Sequence, residues 1–369
     1  MPSVFAPGRL ELIGNHTDYN EGYVLAFALN LGVTAEGEAR ADSKVRLVSS
    51  EFGETTFDLT SLEKDPAAPW ADYVKGVLHL LQQAGAPLGG FEMRLASTLP
   101  VGCGMSSSAA VEVATALLVQ KIFDFETGDP NDPSTRMGLA RLCRAAENDF
   151  VGMQCGILDQ ASCLLGKKGQ AIFLDCRTEE AESVPLPPDH CFVVCHTGAA
   201  HALLSSKYNT RRGECRDAVR VLQFKEPHVA ALRDATPEML HRYASEFRPQ
   251  VFQRAMHVVN ENARVLAARD AMRAGDVRRL GQLLFESHES SRDAFENSTR
   301  HLDQLVEIAR DLPACLGARL TGGGFGGATL HLVARADAAA FAAQLAEIYR
   351  KATGKEPRAW IVEAEEGAR

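Results

Sequence analysis

One stretch, residues 99–114 with the sequence LPVGCGMSSSAAVEVA, restricts what this chain can fold into more than any other. A strand-like run, FEMRLAST at residues 91–98, leads into it. Pro100, Gly102 and Gly104 then turn the chain, and Ser106, Ser107 and Ser108 open a segment whose alanines and apolar residues have helical spacing. Strand, turn and helix start in that order let the N–H groups of the turn and of the first helical turn converge on one anion, a cradle for phosphate. It is not a Walker A loop, because the lysine of GxxxxGK[ST] is absent and three hydroxyls stand where that motif places Gly-Lys-Ser/Thr. An ordinary serine-capped helix is the alternative.

With 369 residues the chain is long enough for two domains, each with a core of its own. The 39 Lys+Arg against 48 Asp+Glu give a formal charge of −9, which opposes binding to nucleic acid or to an acidic membrane surface. No uncharged apolar run reaches membrane-spanning length, and the opening MPSVFAPGRLELIG has neither the basic nor the apolar region of a signal peptide, so a cytoplasmic location is expected. Nine cysteines, an odd number scattered through apolar segments, argue against a disulfide framework and for core positions, Cys191 and Cys195 of CFVVCH included.

Near the start, residues 6–20 (APGRLELIGNHTDYN) place Arg9, Asn15, His16, Asp18 and Tyr19 between apolar flanks. Burying such groups costs free energy unless they meet water or a polar ligand. A hydrogen-bonded turn accounts for Asn and Asp beside Gly, whereas Arg9, His16 and Asp18 together suit a polyhydroxylated ligand, the acids accepting from hydroxyls and Arg and His donating. Residues 32–60 alternate as antiparallel strands, and WADYVKGVL at 70–78 begins a helix in which Trp70 has core packing as its default role. A further helix is expected over 135–150. Asp159 follows an apolar pair in CGILDQ, so it is a structural N-cap or a functional acid–base group. Pro185, Pro187 and Pro188 mark a domain boundary, giving domains 1–183 and 184–369. Beyond it come a strand at 191–196, a helix carrying Arg211 and Arg212 on a solvated face, and a largely helical region over 237–311 in which His288 reads as a satisfied helix histidine. In ARLTGGGFGGATL, residues 318–330, five glycines separate two strand-like runs; their entropic cost implies close backbone approach to something. A helix at 337–353 and a strand at 359–362 close the chain.

GRLELIGNHTDYN, LPVGCGMSSSAA and LTGGGFGGATLHLV together resemble the GHMP small-molecule kinases, most closely the galactokinase family, and WADYVKGV, CGILDQ, SSKYNTRRGEC and ESHESSRDAFENS share that likeness. The resemblance spans nearly the whole chain. It implies an α+β fold of two domains, an N-terminal α/β domain and a C-terminal ferredoxin-like domain with helical additions, with the active site between them. It implies ATP-dependent phosphorylation of the anomeric hydroxyl of D-galactose by a monomer. By the same likeness Arg9, Asn15, His16, Asp18, Gly156 and Tyr208 fall at sugar-side positions and Asp159 at the proposed catalytic-base position, beside Arg9, which keeps it ionised. Ser108 and Glu147 match the Mg²⁺ ligands, a hard-cation oxygen pair. Ser106, Ser107 and the amides of residues 102–104 would hold the phosphates, and Trp70 falls where the family packs adenine.

Two departures stand out. Galactokinases usually carry GRxNxIGEHTDY, whereas here Glu11 occupies the Asn position and Asn15 the Glu position. The exchange removes a carboxylate from the sugar loop and, since a site built for one hydroxyl discriminates against the wrong partner, bears on sugar preference, with L-arabinose or N-acetylgalactosamine as alternative acceptors. Thr197-Gly198-Ala199-Ala200-His201 replaces an Asn/Ser-rich turn. A non-catalytic sugar and ATP sensor is the reading from another class; the intact SSSAA run, Glu147 and Asp159 argue against it.

Overall fold

The computed structural model describes residues 1–100, 102–199 and 204–369, with side chains from 207 onward in the helix that begins at Leu204. Ala200 and His201 of the second departure, and the side chains of Ser205 and Ser206, therefore lie outside the described residues. The elements are β1 (Ser3–Ile13), β2 (Tyr23–Ala39), β3 (Lys44–Ser49), β4 (Gly53–Asp58), α1 (Asp72–Gln83), β5 (Phe91–Ser97), α2 (Ser107–Phe123), α3 (Pro133–Ala145), α4 (Leu158–Leu165), β6 (Gln170–Asp175) and β7 (Ala181–Pro185). They continue with β8 (His190–His196), α5 (Leu204–Lys225), α6 (Pro237–Arg242), α7 (Pro249–Ala274), α8 (Val277–Ser290), α9 (Arg300–Arg310), β9 (Cys315–Thr321), β10 (Ala328–Ala334), α10 (Ala338–Thr353) and β11 (Arg358–Val362).

The first sheet has the order β4-β3-β5-β2-β6-β7, with β1 pairing β2 as well. β2 organises it: its first residues pair with β6, its last with β5, and β1 runs antiparallel along it. The alternating residues of 32–60 form strands as expected, but only β3 and β4 make a local antiparallel hairpin; β3 joins β5 in parallel. The helical crossover α1 between them makes this possible, since parallel neighbours need a long connection. Helices α1, α2, α3 and α4 pack together, and α2 and α4 lie against β1 and β2.

The second sheet, β11-β8-β10-β9, is wholly antiparallel. Numbered along the chain its order is 4-1-3-2, a ferredoxin-like βαββαβ arrangement, with α8, α9 and α10 against it and α5 to α7 added between β8 and β9. The residues after β11 cross back to the first sheet, where Ala364 bridges Leu29 and Arg369 exchanges backbone hydrogen bonds with Phe5.

Local chemistry sets several element ends. Asp132 caps α3, accepting from the Thr135 N–H with Pro133 at the first helical position, and Gly275 ends α7 in the left-handed conformation. The helix expected over 135–150 changes character at Ala146: residues Ala146–Val151 form a π-helical turn. Such insertions re-aim side chains at functional sites, and this one carries Glu147. Cys191 and Cys195 are buried in β8, and all nine cysteines are free thiols. His288 is only half as expected: its Nδ1 accepts from the Leu320 N–H, but its buried Nε2, 3.2 Å from Asp303 Oδ1, makes no hydrogen bond among the described residues.

Arg211 and Arg212 are not on a solvated face. Arg211 donates to the carbonyls of Phe295 and Glu296, and Arg212 to that of Gln154, so both lash α5 to neighbouring turns. The turn after α8 and the segment before α4 cover the face that a solitary helix would show to water.

Candidate active site

A cleft of about 370 Å³ lies at the ends of β1, α2 and α4, and every site residue named from the sequence except Gly156 lines it. Its floor is the phosphate loop. Gly102, Gly104 and Ser106 adopt left-handed backbone angles, and the loop is clamped from below by β1, where the Arg9 N–H donates to the Met105 carbonyl and Arg9 Nη1 to that of Gly104. From the other side comes the glycine-rich run. A Cβ on Gly104 would stand 3.1 Å from the Thr321 carbonyl, and one on Gly322 3.1 Å from that of Gly104. The close approach implied by those glycines is therefore to the phosphate loop itself.

Asp159 is the second residue of α4, behind an N-cap at Ile157, so it is not the cap. Arg9 Nη2 lies 2.7 Å from its Oδ1, and Ser106 Oγ donates to its Oδ2 at 2.6 Å. These charge-assisted contacts hold both oxygens of the carboxylate in place. Burial would lower the Arg9 pKa, but Asp159, Glu11 and Asp18 together outweigh it and the guanidinium is raised above its ordinary value. Ser106, assigned to the phosphates, thus spends its hydroxyl hydrogen on Asp159.

The sugar loop meets the cleft at the other end. Asp18 is pushed up to about 6 by burial, with the Asp159 and Glu11 charges adding to it. Gly156 is what admits it: a Cβ there would fall 2.2 Å from Asp18 Oδ2. His16 is lowered to about 3, chiefly by burial, and is neutral at ordinary pH. Its Nε2–H donates to the Gly323 carbonyl at 3.1 Å and its Nδ1 accepts from the Tyr19 hydroxyl at 2.8 Å. Its ring contacts Tyr208, which also packs on Gly323. Protein partners take both ring nitrogens, so His16 shapes the cleft with its ring face.

Asn15 is tied to the other half of the chain. Its side-chain N–H₂ donates to the Gly322 carbonyl at 2.7 Å and to Glu11 Oε1 at 3.3 Å, and its Oδ1 accepts from Asn297. Its backbone N–H reaches Glu261, and its carbonyl accepts from His257 Nε2. Glu11 in turn pairs with buried Arg319 at 3.0 Å. The exchanged amide and carboxylate therefore touch one another, and the displaced negative charge is met by an arginine that the sequence had not singled out.

At the third corner Ser108 and Glu147 line the cleft together, and the Glu147 carboxyl is pushed up chiefly by burial, with the Asp159 charge adding to it. A hydroxyl and a buried carboxyl facing the loop are the oxygen donors that suit Mg²⁺, and an acid held by Gln160 and Cys155 but, among the described residues, by no basic side chain fits an incoming cation. Trp70 stands in a 3₁₀ turn before α1, half-buried, its ring nearly parallel to that of Phe52 with centroids 6.2 Å apart. Phe52, on the β3–β4 turn, was missed, since a lone aromatic between polar residues carries no pattern.

Comparison with known proteins agrees with this geometry. Residues 3–38 match the galactokinase galactose-binding signature, residues 72–167 the GHMP kinases N terminal domain and residues 268–351 the GHMP kinases C terminal family. A galactokinase of Roseiflexus sp. is 40% identical over 365 residues, covering 99% of this chain and 91% of that protein. One from Chloroflexus aurantiacus is 41% identical over 351 residues, 95% of this chain and 88% of that one. The crystal structure of Lactococcus lactis galactokinase complexed with galactose superposes with a TM-score of 0.93 at 35% identity, covering all of this chain and 94% of that one. A mevalonate kinase structure shares the fold alone, at 16% identity and a TM-score of 0.66 over 99% of this chain and all of that one. With its three motifs gathered on one cleft and these relatives along its full length, the chain belongs to the galactokinase family of the GHMP kinases.

Proposed function

We infer that this chain transfers the γ-phosphoryl group of ATP to the anomeric hydroxyl of D-galactose, giving galactose 1-phosphate and ADP. The observation that carries the reading is the Arg9–Asp159–Ser106 corner, a carboxylate held for deprotonation in the same cleft as the phosphate loop. Phosphoryl transfer is largely positioning and charge neutralisation. Backbone N–H groups of residues 102–108 and the start of α2 hold the phosphates, with Ser107 at the helix N-terminus. Trp70, beside Phe52, packs the adenine. Asp18, Tyr208 and the His16 ring bound the sugar, and Gly156 leaves Asp18 the room to reach it. Asp159 takes the proton of the anomeric hydroxyl as that oxygen bonds to the γ-phosphorus and the bond to the β,γ-bridging oxygen breaks. Arg9 holds the Asp159 carboxylate in place for that step.

Ser108 and Glu147 would hold Mg²⁺, which when bound neutralises charge on the triphosphate. We further propose two domains, one built on each sheet, with the cleft between them; the boundary expected at residues 183 and 184 moves to the turn before β8, because β7 pairs with β6 as far as Pro185. Among the described residues no helix is long and apolar enough to cross a membrane. The test is an ADP-release assay with Mg-ATP and a panel of D-galactose, L-arabinose, N-acetylgalactosamine and D-glucose. D-galactose is expected among the best acceptors; turnover of another sugar alone, or of none, defeats the reading.

A further inference from the structure

Behind the metal corner lies an acid that the mechanism does not use. Glu112 sits in α2 with no exposure, in a helix whose neighbouring residues are almost all apolar. Among the described residues its side chain has one hydrogen-bond partner, Gln160, the residue after Asp159: Gln160 Nε2 donates to Glu112 Oε2 at 3.0 Å and to Glu147 Oε2 at 2.8 Å. Both hydrogens of that amide are thus committed, one to each carboxyl. Two atoms remain without a hydrogen-bond partner among the described residues, Glu112 Oε1 and Gln160 Oε1. Both are acceptors if Glu112 is ionised, and buried acceptors are rarely left unmet. A single proton on Glu112 Oε1, donated to Gln160 Oε1, satisfies both and closes the ring that a carboxylic acid makes with a primary amide.

We propose that Glu112 and Gln160 form a neutral acid–amide pair that fixes the Glu147 carboxylate for the metal, leaving its Oε1 free of the amide. The proposal rests on the assignment of Ser108 and Glu147 to Mg²⁺. The surroundings agree with a neutral acid. Among the described residues the titratable groups facing Glu112 are Glu147, Asp159, Tyr73, Cys143, Cys155 and Cys163, none of them cationic, and burial raises its pKa well above the ordinary carboxylate value. Cys155 Sγ also lies 3.4 Å from Glu147 Oε2, so that oxygen is held twice. Partners that orient a metal ligand in this way are worth about 10–100-fold in metal affinity when removed. Glu112 and Gln160 are positioning residues, since neither touches the reacting atoms.

The experiment measures Mn²⁺ binding to the ADP complex by electron paramagnetic resonance, alongside the Mg²⁺ concentration for half-maximal activity, in wild type, E147A, Q160L, E112L and E112Q. E147A tests the metal assignment itself: unchanged Mn²⁺ affinity removes that assignment and the proposal with it. If E147A loses the metal, Q160L and E112L are expected to weaken Mn²⁺ binding about tenfold or more, with the KM for galactose unchanged. E112Q is the deciding variant. Its amide makes the same ring with Gln160 and is expected to keep wild-type Mn²⁺ affinity, whereas a loss like that of E112L would mean that an ionised Glu112 is required and would overturn the neutral pair. Unchanged affinity in Q160L would overturn the positioning role. An infrared difference spectrum of wild type against E112Q should contain one protonated-carboxyl carbonyl band; its absence contradicts the pair even if E112L fails to fold.

Discussion

Two aspartates face the same cleft and are treated oppositely by the fold. Asp159 has both oxygens met, by the Arg9 guanidinium at 2.7 Å and the Ser106 hydroxyl at 2.6 Å. Asp18, at the sugar end, is pushed up to about 6 because burial and the Asp159 and Glu11 charges outweigh Arg9. A base must be ionised before substrate arrives, so its charge is balanced by the protein. A carboxylate meant to accept from ligand hydroxyls can be left under-solvated until they come, at a cost to the stability of the free protein. The difference separates chemistry from recognition within one cavity.

The sharpest way to break this division is Asp159→Asn. Turnover should fall about 10³-fold, within the range for loss of a general base, while thermal-shift titrations still show binding of galactose and of ADP. Near wild-type turnover would remove Asp159 from the mechanism. Arg9→Met should come next, lowering kcat about 10²-fold, because Asp159 loses the guanidinium that orients it; a variant affecting only the KM for galactose would place Arg9 on the recognition side instead.

At the sugar end the signature should be in KM. Asp18→Asn is expected to raise the KM for galactose about tenfold, an effect on the order of one charged hydrogen bond, with little change in kcat. Gly156→Ala should move KM in the same direction, since the new Cβ would displace the Asp18 carboxylate.

The same aspartate carries a pH dependence. A carboxylate whose folded pKa is raised from 3.8 to about 6 gives a stability contribution that is full below the unfolded value and lost as pH rises through about 6. Asp18→Asn should therefore be more heat-stable than wild type at pH 7–8, with the advantage vanishing toward pH 4, while galactose binding by wild type weakens as pH falls below about 6. An equal or lower Tm for the variant at pH 8 would show that Asp18 is already charge-compensated. The smallest effect expected is that of Ser106→Ala, about a fivefold loss in kcat, because Arg9 still holds the other oxygen of Asp159. A larger change in the KM for ATP than in kcat would return Ser106 to the phosphates.

The phosphate loop, the glycine-rich run and the sequence positions of Asp159 and Glu147 were legible in the chain because each rests on local rules: a strand, a turn that needs left-handed residues and a helix start. Even the silent acid left a trace, since a glutamate amid AAVEVATALLV breaks the apolar pattern of α2. The expected α3 helix erred at Ala146, where one extra residue in a turn leaves no signature in propensity. Arg211 and Arg212 were misplaced because an arginine on a helix looks solvated until something packs on it. Which atoms met was illegible. Asn15 and Glu261 are 246 residues apart, and Glu11 and Arg319 308.

What the sequence determined by itself was the strand–turn–helix loop at residues 99–114, the presence of Asp159 beside an apolar pair and the family to which the chain belongs, because backbone geometry and side-chain type over short stretches suffice for those. Only the tertiary structure decided that Ser106 serves Asp159, that His16 and Asn15 spend their polar atoms on the glycine-rich run, and that Glu11 stands against Arg319. The physical reason is that a hydrogen bond or an ion pair acts over about 3 Å, and chain topology alone brings such distant residues that close.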